Sequence, residues 1–208
     1  MTKVPSTPSK PVIVVDIDDV LAAGAQAFID YSNQKYGTHL TIEDYQDSWD
    51  KTWGVNLEET HRRAIEYHQL KIHAQYPAIS GALEVLKQLK KHFTLKLLTT
   101  RRDSINQLTR DWINQYYPNI FSEIVFTKFF VDTKLERKDI DRTKGELARE
   151  LGASYLIDDQ LKNCLSAADN GIEALLFGDY PWNRSDKLPA KVTRVSNWAE
   201  VSDYFGHK

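Results

Sequence analysis

Short apolar runs separated by helix-length segments constrain this 208-residue chain more than any other feature. Val12 to Val15 is a β-branched and apolar run, as in strands covered on both faces. Thr94 to Thr99 is the next comparable run, and from there strand-like and helix-like stretches alternate. Ser104 to Tyr117 carries Ile105, Leu108, Trp112 and Ile113 at helical spacing and stops at Pro118. Glu123 to Phe126 reads as a strand. Thr143 to Leu151 reads as a helix with Thr143 and Glu146 as a capping box and Gly152 as the stop. Ser154 to Ile157 is a strand, Gln160 to Ala168 a helix and Ile172 to Phe177 a strand. Lys191 to Val195 forms a last edge strand, and a helix begins near Asn197. Such alternation predicts an α/β fold, with a mostly parallel sheet covered by helices on both faces.

Residues 21–78 break the pattern. Two helices are expected there, Ala22 to Tyr36 and Leu57 to Tyr76, with aromatic and polar residues between them. They follow the first strand directly, at the edge where open α/β sheets bind ligands, so they read as a cap. A helix from Ile79 leads back into the core. The expected organisation is a disordered lead-in at 1–11, a core of 12–20 and 79–208, and a helical cap of 21–78.

Charge and composition narrow the functional classes. Lys plus Arg total 27 against 29 Asp plus Glu, a net charge of −2. A binder of nucleic-acid polymer or of anionic membrane would need a clear basic excess. Cys164 is the only cysteine, so no internal disulfide or cysteine-based zinc cluster can form. With no apolar leader or membrane span in the sequence, the expected location is the cytoplasm.

Carboxylates mark one edge of the expected sheet. Asp16-Ile17-Asp18-Asp19 ends the first strand, and Asp158-Asp159 ends the strand at Ser154 to Ile157. In a parallel sheet both acidic ends lie on the same side. They would repel one another without a cation, and their hard oxygens suit Mg²⁺ better than zinc or copper. Thr99-Thr100-Arg101-Arg102 reaches that edge from the second strand. Thr99 can donate a hydroxyl to an anionic oxygen, or the segment can simply cap the next helix. Lys144 lies in the first turn of a helix, where a cation opposes the helix dipole and hints at another use. Lys128, Lys134 and Lys138 are alternatives.

Asp-x-Asp after strand one, Thr after strand two, a Lys, then Asp-Asp after a later strand is the order of motifs in the haloacid dehalogenase (HAD) superfamily, which the chain resembles from Val12 to Phe177. Pro77-Ala-Ile-Ser-Gly81-Ala-Leu-Glu84 is similar to the family's re-entry segment. Asp19 departs from the pattern, since many members have Gly there. The resemblance implies a Rossmann-like three-layer sandwich and an aspartyl-phosphate mechanism. Asp16 would be the nucleophile, Asp18 the general acid and base, Thr99 a phosphoryl ligand and Lys144 the neutralising cation. Mg²⁺ would be held by Asp16, the Asp18 carbonyl and Asp158, with Asp159 behind them. The presence of Asp18 favours a phosphatase or phosphotransferase over a dehalogenase.

Leu176-Phe-Gly-Asp-Tyr-Pro-Trp-Asn183 is similar to a feature of the 5′-nucleotidase and deoxyribonucleotidase branch, which implies a small phosphorylated substrate such as a nucleoside monophosphate. The cap is aromatic at Phe28, Tyr31, Tyr45, Trp49, Trp53 and Tyr67. Most of these residues are expected to form the cap's own small core. Trp49 and Trp53, in its least regular part, are the candidates for base stacking, with Thr100 and Arg101 as further substrate contacts. His61, His68 and His73 read as surface or cap-core residues, and Cys164 as buried. The alternatives are a sugar-phosphate phosphatase or phosphomutase of the same superfamily, or a non-catalytic phospholigand-binding protein.

Overall fold

The computed structural model describes residues 10–46, 48–127 and 142–206. Lys128, Lys134 and Lys138, like most of the expected lead-in, lie outside them.

Six parallel strands form one sheet in the order β3-β2-β1-β4-β5-β6. They are β1 (Val12–Val15), β2 (Thr94–Thr99), β3 (Glu123–Phe126), β4 (Ala153–Asp158), β5 (Glu173–Phe177) and β6 (Val192–Val195). The strand order reverses beside β1, whose neighbours are β2 and β4. Open parallel sheets bind ligands at such a switch point, outside the carboxyl ends of the strands. Alternate residues of each strand point to opposite faces. Ile13, Val15, Leu95 and Leu97 feed one buried cluster, while Val14, Leu98, Leu156 and Leu176 feed another.

Helices cover both faces, giving a three-layer Rossmann-like sandwich. The first cluster takes in Leu86 of α4 (Ala82–Leu89), Trp112 of α5 (Asn106–Tyr116) and Trp198 and Phe205 of α8 (Trp198–Gly206). The second takes in Ala148 of α6 (Lys144–Glu150) and Cys164 and Ala167 of α7 (Leu161–Asp169). To seat those small residues closely, α6 lies almost in contact with α7. A Cβ on Gly145 would stand 2.4 Å from the Ser166 carbonyl carbon.

Between β1 and α4 lie α1 (Gly24–Tyr36), α2 (Trp49–Trp53), α3 (Leu57–Gln69) and two turns of 3-10 helix. Two chain crossings join this segment to the core: Ala23 donates to the Pro77 carbonyl at 2.9 Å, and Ile79 to the Leu21 carbonyl at 2.8 Å. The surface pair of Arg184 with both carboxylate oxygens of Glu43 makes a third tie.

Several boundaries differ from the sequence reading. The helix expected to run to Tyr76 ends at Gln69, because Lys71 takes a left-handed conformation (φ 52°) and a 3-10 turn, Ile72–Gln75, follows. The helix expected from Ile79 starts at Ala82, after Gly81 at φ 81°. The irregular stretch holds the short helix α2. The cap aromatics do not form a separate core either: Phe28, Trp53, Tyr67 and Tyr76 belong to the same buried cluster as Ile17, Leu21 and Leu97.

Candidate active site

Asp16 directly follows β1, and its backbone N–H extends the ladder to Ile157 of β4 at 2.9 Å. That register sets Asp16 beside Asp158, the last residue of β4. Lys144 reaches the same point from the first turn of α6. Its Nζ lies 2.8 Å from Asp16 Oδ1 and 2.7 Å from Asp158 Oδ2. Thr143 and Glu146 close the capping box that fixes this helix start, and Ser166 of α7 hydrogen-bonds the Thr143 hydroxyl at 2.7 Å. A lysine at a helix N-terminus, fully buried, is thus held by two carboxylates rather than by solvent. Burial works against its charge, but Asp158 and Asp16 outweigh that and raise its pKa.

Oxygens of Asp16, Asp158 and Asp159 lie within 4.8 Å of one another, the one such group among the described residues. Burial, opposed by Lys144, raises the Asp16 carboxyl to about 7, with Asp158 and Asp18 adding to the rise. Asp159 is pushed well above its ordinary value by burial and by the neighbouring acids. Asp16, Asp19, Asp158 and Asp159 are buried and Asp18 half-buried, facing two buried cations, Lys144 and Arg101. That excess of hard, buried anionic oxygen fits a divalent cation such as Mg²⁺.

The two acids of the pair have different surroundings. Asp158 Oδ1 accepts hydrogen bonds from the Gln160 backbone and Asn163 Nδ2, both at 2.9 Å, while its Oδ2 faces Lys144. It is fully buried and does not line the cavity, whereas Asp159 does. Trp182 Nε1 and Gln160 Nε2 hold Asp159 Oδ2 at 2.7 and 3.0 Å. Asn163 and Trp182 were not among the sequence candidates. Asn163 carried a weak signal, one turn into the helix after the acidic pair.

Asp18 and Arg101 form a fork. Arg101 Nε donates to Asp18 Oδ2 at 2.9 Å and Nη2 to Oδ1 at 2.6 Å. Burial would raise the Asp18 pKa, but Arg101 more than offsets it and holds the carboxyl below the usual range. Arg101, expected to touch substrate, lines the cavity while making this pair. Thr99 is fully buried; its Oγ1 accepts from the Arg101 backbone at 3.2 Å, and Thr100 lines the cavity. Asp19 adopts φ 56°, the left-handed turn that Gly would take without strain. Its carboxylate accepts from Ala25 N at 3.0 Å, capping α1 from the preceding loop. Asp19 therefore compensates the departure from Gly with a buried hydrogen bond.

The cavity above these residues has a volume of about 790 Å³. Asp16, Asp18 and Asp159 line it, as do Phe28, Tyr45 and Trp49, whose rings pack together as an aromatic wall. Phe28 and Trp49 rings sit 4.6 Å apart. Trp53 was expected to share that role and does not. It does not line the cavity, its Nε1 donates to Ser32 Oγ at 2.8 Å, and it packs against Phe28 in the core. His68 and His73, expected to be surface or cap-core residues, stack on each other at 5.3 Å and line the cavity.

Residues 10–206 match the model of the family described as 5′ nucleotidase, deoxy (pyrimidine), cytosolic type C protein. The chain belongs to that family. Two similar proteins are both named "putative nucleotidase". The one from Halalkalibacterium halodurans is 26% identical over 188 residues, covering 90% of this chain and 88% of that one. The one from Bacillus subtilis is 23% identical over 198 residues, covering 93% and 92%. Among solved structures, a haloacid dehalogenase-like family hydrolase of Streptococcus pneumoniae superposes with TM-score 0.66 at 15% identity, covering 96% of this chain and 100% of its own. The nucleotidase family and the HAD fold thus meet in one chain, a HAD-type phosphatase whose family works on small phosphorylated substrates.

Proposed function

We propose that this nucleotidase-family member is a Mg²⁺-dependent phosphomonoesterase of nucleoside 5′-monophosphates, working through an aspartyl-phosphate on Asp16. The carrying observation is Asp16 itself, a buried carboxylate lining a cavity, paired with a buried lysine and beside a second acidic pair. In the first step an Asp16 oxygen attacks phosphorus and the bond to the ester oxygen breaks. Asp18, ionised in the free enzyme, takes up a proton from solvent as the anionic phosphate enters the site and passes it to the departing alcohol. In the second step water attacks the aspartyl-phosphate, Asp18 takes its proton, and inorganic phosphate leaves with Asp16 restored. Lys144 offsets the charge on Asp16 and the phosphoryl group. Thr99, with Oγ1 accepting from Arg101, keeps its hydroxyl hydrogen for a phosphoryl oxygen, and Thr100 adds a second hydroxyl. Bound at Asp16, the Asp18 carbonyl and Asp159, Mg²⁺ would supply Lewis-acid charge to the phosphoryl oxygens. Asp158, in this reading, orients Lys144 and stands behind the metal.

The aromatic wall of Phe28, Tyr45 and Trp49 supports a nucleobase over a sugar phosphate, since each base stack is worth about 1–3 kcal/mol. Residues 21–78 act as the cap that carries this wall over the core of 12–20 and 79–208. The cytosolic description of the family and the single buried cysteine support a cytoplasmic enzyme. Among the described residues, no helix is long and apolar enough to cross a membrane. A panel of ribo- and deoxyribonucleoside monophosphates and sugar phosphates, assayed with Mg²⁺ and with chelator, tests the reading. Turnover should require Mg²⁺, favour nucleotides and vanish in Asp16→Asn. Activity on sugar phosphates alone would reject the nucleotide assignment.

A further inference from the structure

Asp18 is clamped from two sides. On one side the Arg101 guanidinium makes its fork with both carboxylate oxygens. That guanidinium is itself immobilised: its side chain is 3% exposed, Nη1 donates to Thr109 Oγ1 at 3.3 Å, and the Tyr76 ring lies 5.5 Å from Cζ. On the other side is the start of α1, where Gly24 leaves no room to spare. A Cβ there would stand 3.3 Å from Asp18 Oδ1 and 3.2 Å from Tyr76 Cε2. Tyr76 is anchored in turn, its hydroxyl 2.7 Å from that of Tyr67 and its carbonyl accepting from Trp112 Nε1 at 2.9 Å.

We propose that Arg101 is a positioning residue for Asp18, with Gly24 and Tyr76 completing the clamp, and that it does not bind the phosphoryl group. The proposal rests on Asp18 as the general acid and base. A carboxyl group on two rotatable bonds must be aimed at the ester oxygen if it is to hand over a proton there. A planar two-point ion pair fixes both torsions, which a single ammonium cannot do. Arg101 thus acts on the reaction only through Asp18.

Leaving-group dependence separates this role from phosphate binding and from a merely structural one. Phenyl phosphate and 4-nitrophenyl phosphate have similar shapes, but phenolate is the poorer leaving group and depends more on the acid. Arg101→Met and Arg101→Lys should lower kcat/KM, which reports only the steps up to departure of the alcohol, for phenyl phosphate by about 10²-fold, at the lower end of acid–base contributions, with a much smaller loss for 4-nitrophenyl phosphate. Gly24→Ala, which keeps both charges but presses on the carboxylate, should show the same selective loss and guards against misfolding of the arginine variants. Asp18→Asn should show the pattern in full, and adding Arg101→Met to it should cost nothing more. Equal losses of kcat/KM on both substrates, as a lost phosphoryl contact would give, would overturn the positioning role. If Asp18→Asn itself lacked leaving-group dependence, the acid assignment would fall, and the clamp's role with it.

Discussion

Gly145→Ala tests whether Lys144, the cation proposed to serve catalysis, is held in place by the packing of two helices. The new Cβ would stand 2.4 Å from the Ser166 carbonyl carbon and 2.5 Å from its oxygen, where ordinary contact begins near 3.4 Å. Backbone cannot rotate out of the way as a side-chain tip can, so α6 must retreat from α7 by about 1 Å. Lys144 is the adjacent residue and would move with it. Its ion pairs at 2.8 and 2.7 Å would stretch well beyond close contact. Overpacking of this kind costs about 1–3 kcal/mol. In a chain of this size that lowers Tm by about 2–12 °C, at about 2–4 °C per kcal/mol. A misplacement near 1 Å at a reacting group costs about 10²-fold in turnover. The assay is nucleotide hydrolysis at saturating Mg²⁺ alongside thermal melting. Gly206→Ala, at a helical glycine with nothing within 4 Å of the added methyl, serves as the control and should leave both unchanged. If Gly145→Ala kept wild-type kcat and Tm, the α6–α7 approach would not be what sets Lys144, and the reasoning would fail.

Other substitutions separate roles that the sequence leaves entangled. Asp159→Asn should raise the Mg²⁺ concentration for half-maximal activity by at least about 10-fold, a loss seen even for groups outside the first coordination shell, and should abolish the Mg²⁺-induced rise in Tm. Asp158→Asn should chiefly lower apo stability, since it breaks a buried ion pair; the reverse ranking would restore Asp158 as the ligand. Trp53→Ala should cost about 3–5 kcal/mol of stability as a core truncation, while Trp49→Ala should raise KM for nucleotides about 5- to 150-fold at a smaller cost in Tm. Burial first, and Arg101 second, lower the His73 pKa from 6.5 to about 4. Above pH 6.5 both folded and unfolded chains carry it neutral; between 6.5 and 4 only the unfolded chain takes up the proton, so stability falls with pH by up to about 3 kcal/mol. Wild type minus His73→Gln, followed by denaturant titration across that window, should isolate the slope; parallel curves would refute it.

What could be read in the sequence, and what could not, divides along physical lines. Val12–Val15, Thr94–Thr99 and Ala153–Asp158 were legible because buried parallel strands need continuous apolar character, and a parallel sheet then fixes which end is shared. The convergence of Asp16, Thr99 and Asp158 on one edge follows from that topology. Lys144 was legible too, through the oddity of a cation where the helix dipole disfavours one. What topology cannot convey is the direction in which a side chain looks. Asp158 and Asp159 are adjacent and chemically alike, so only the strand's pleat and the partners supplied by Lys144, Asn163 and Trp182 tell them apart. Trp49 and Trp53 pose the same difficulty one helical turn apart: Trp49 lines the cavity and Trp53 is tied to Ser32 in the core. Composition marks both as aromatic, but their roles depend on how α1, α2 and α3 cross. The Arg101–Asp18 fork spans 83 residues, beyond the reach of any local pattern. Acids gathered on a sheet edge announce a site; which of them is free to act depends on the cations and amides brought there by distant parts of the chain.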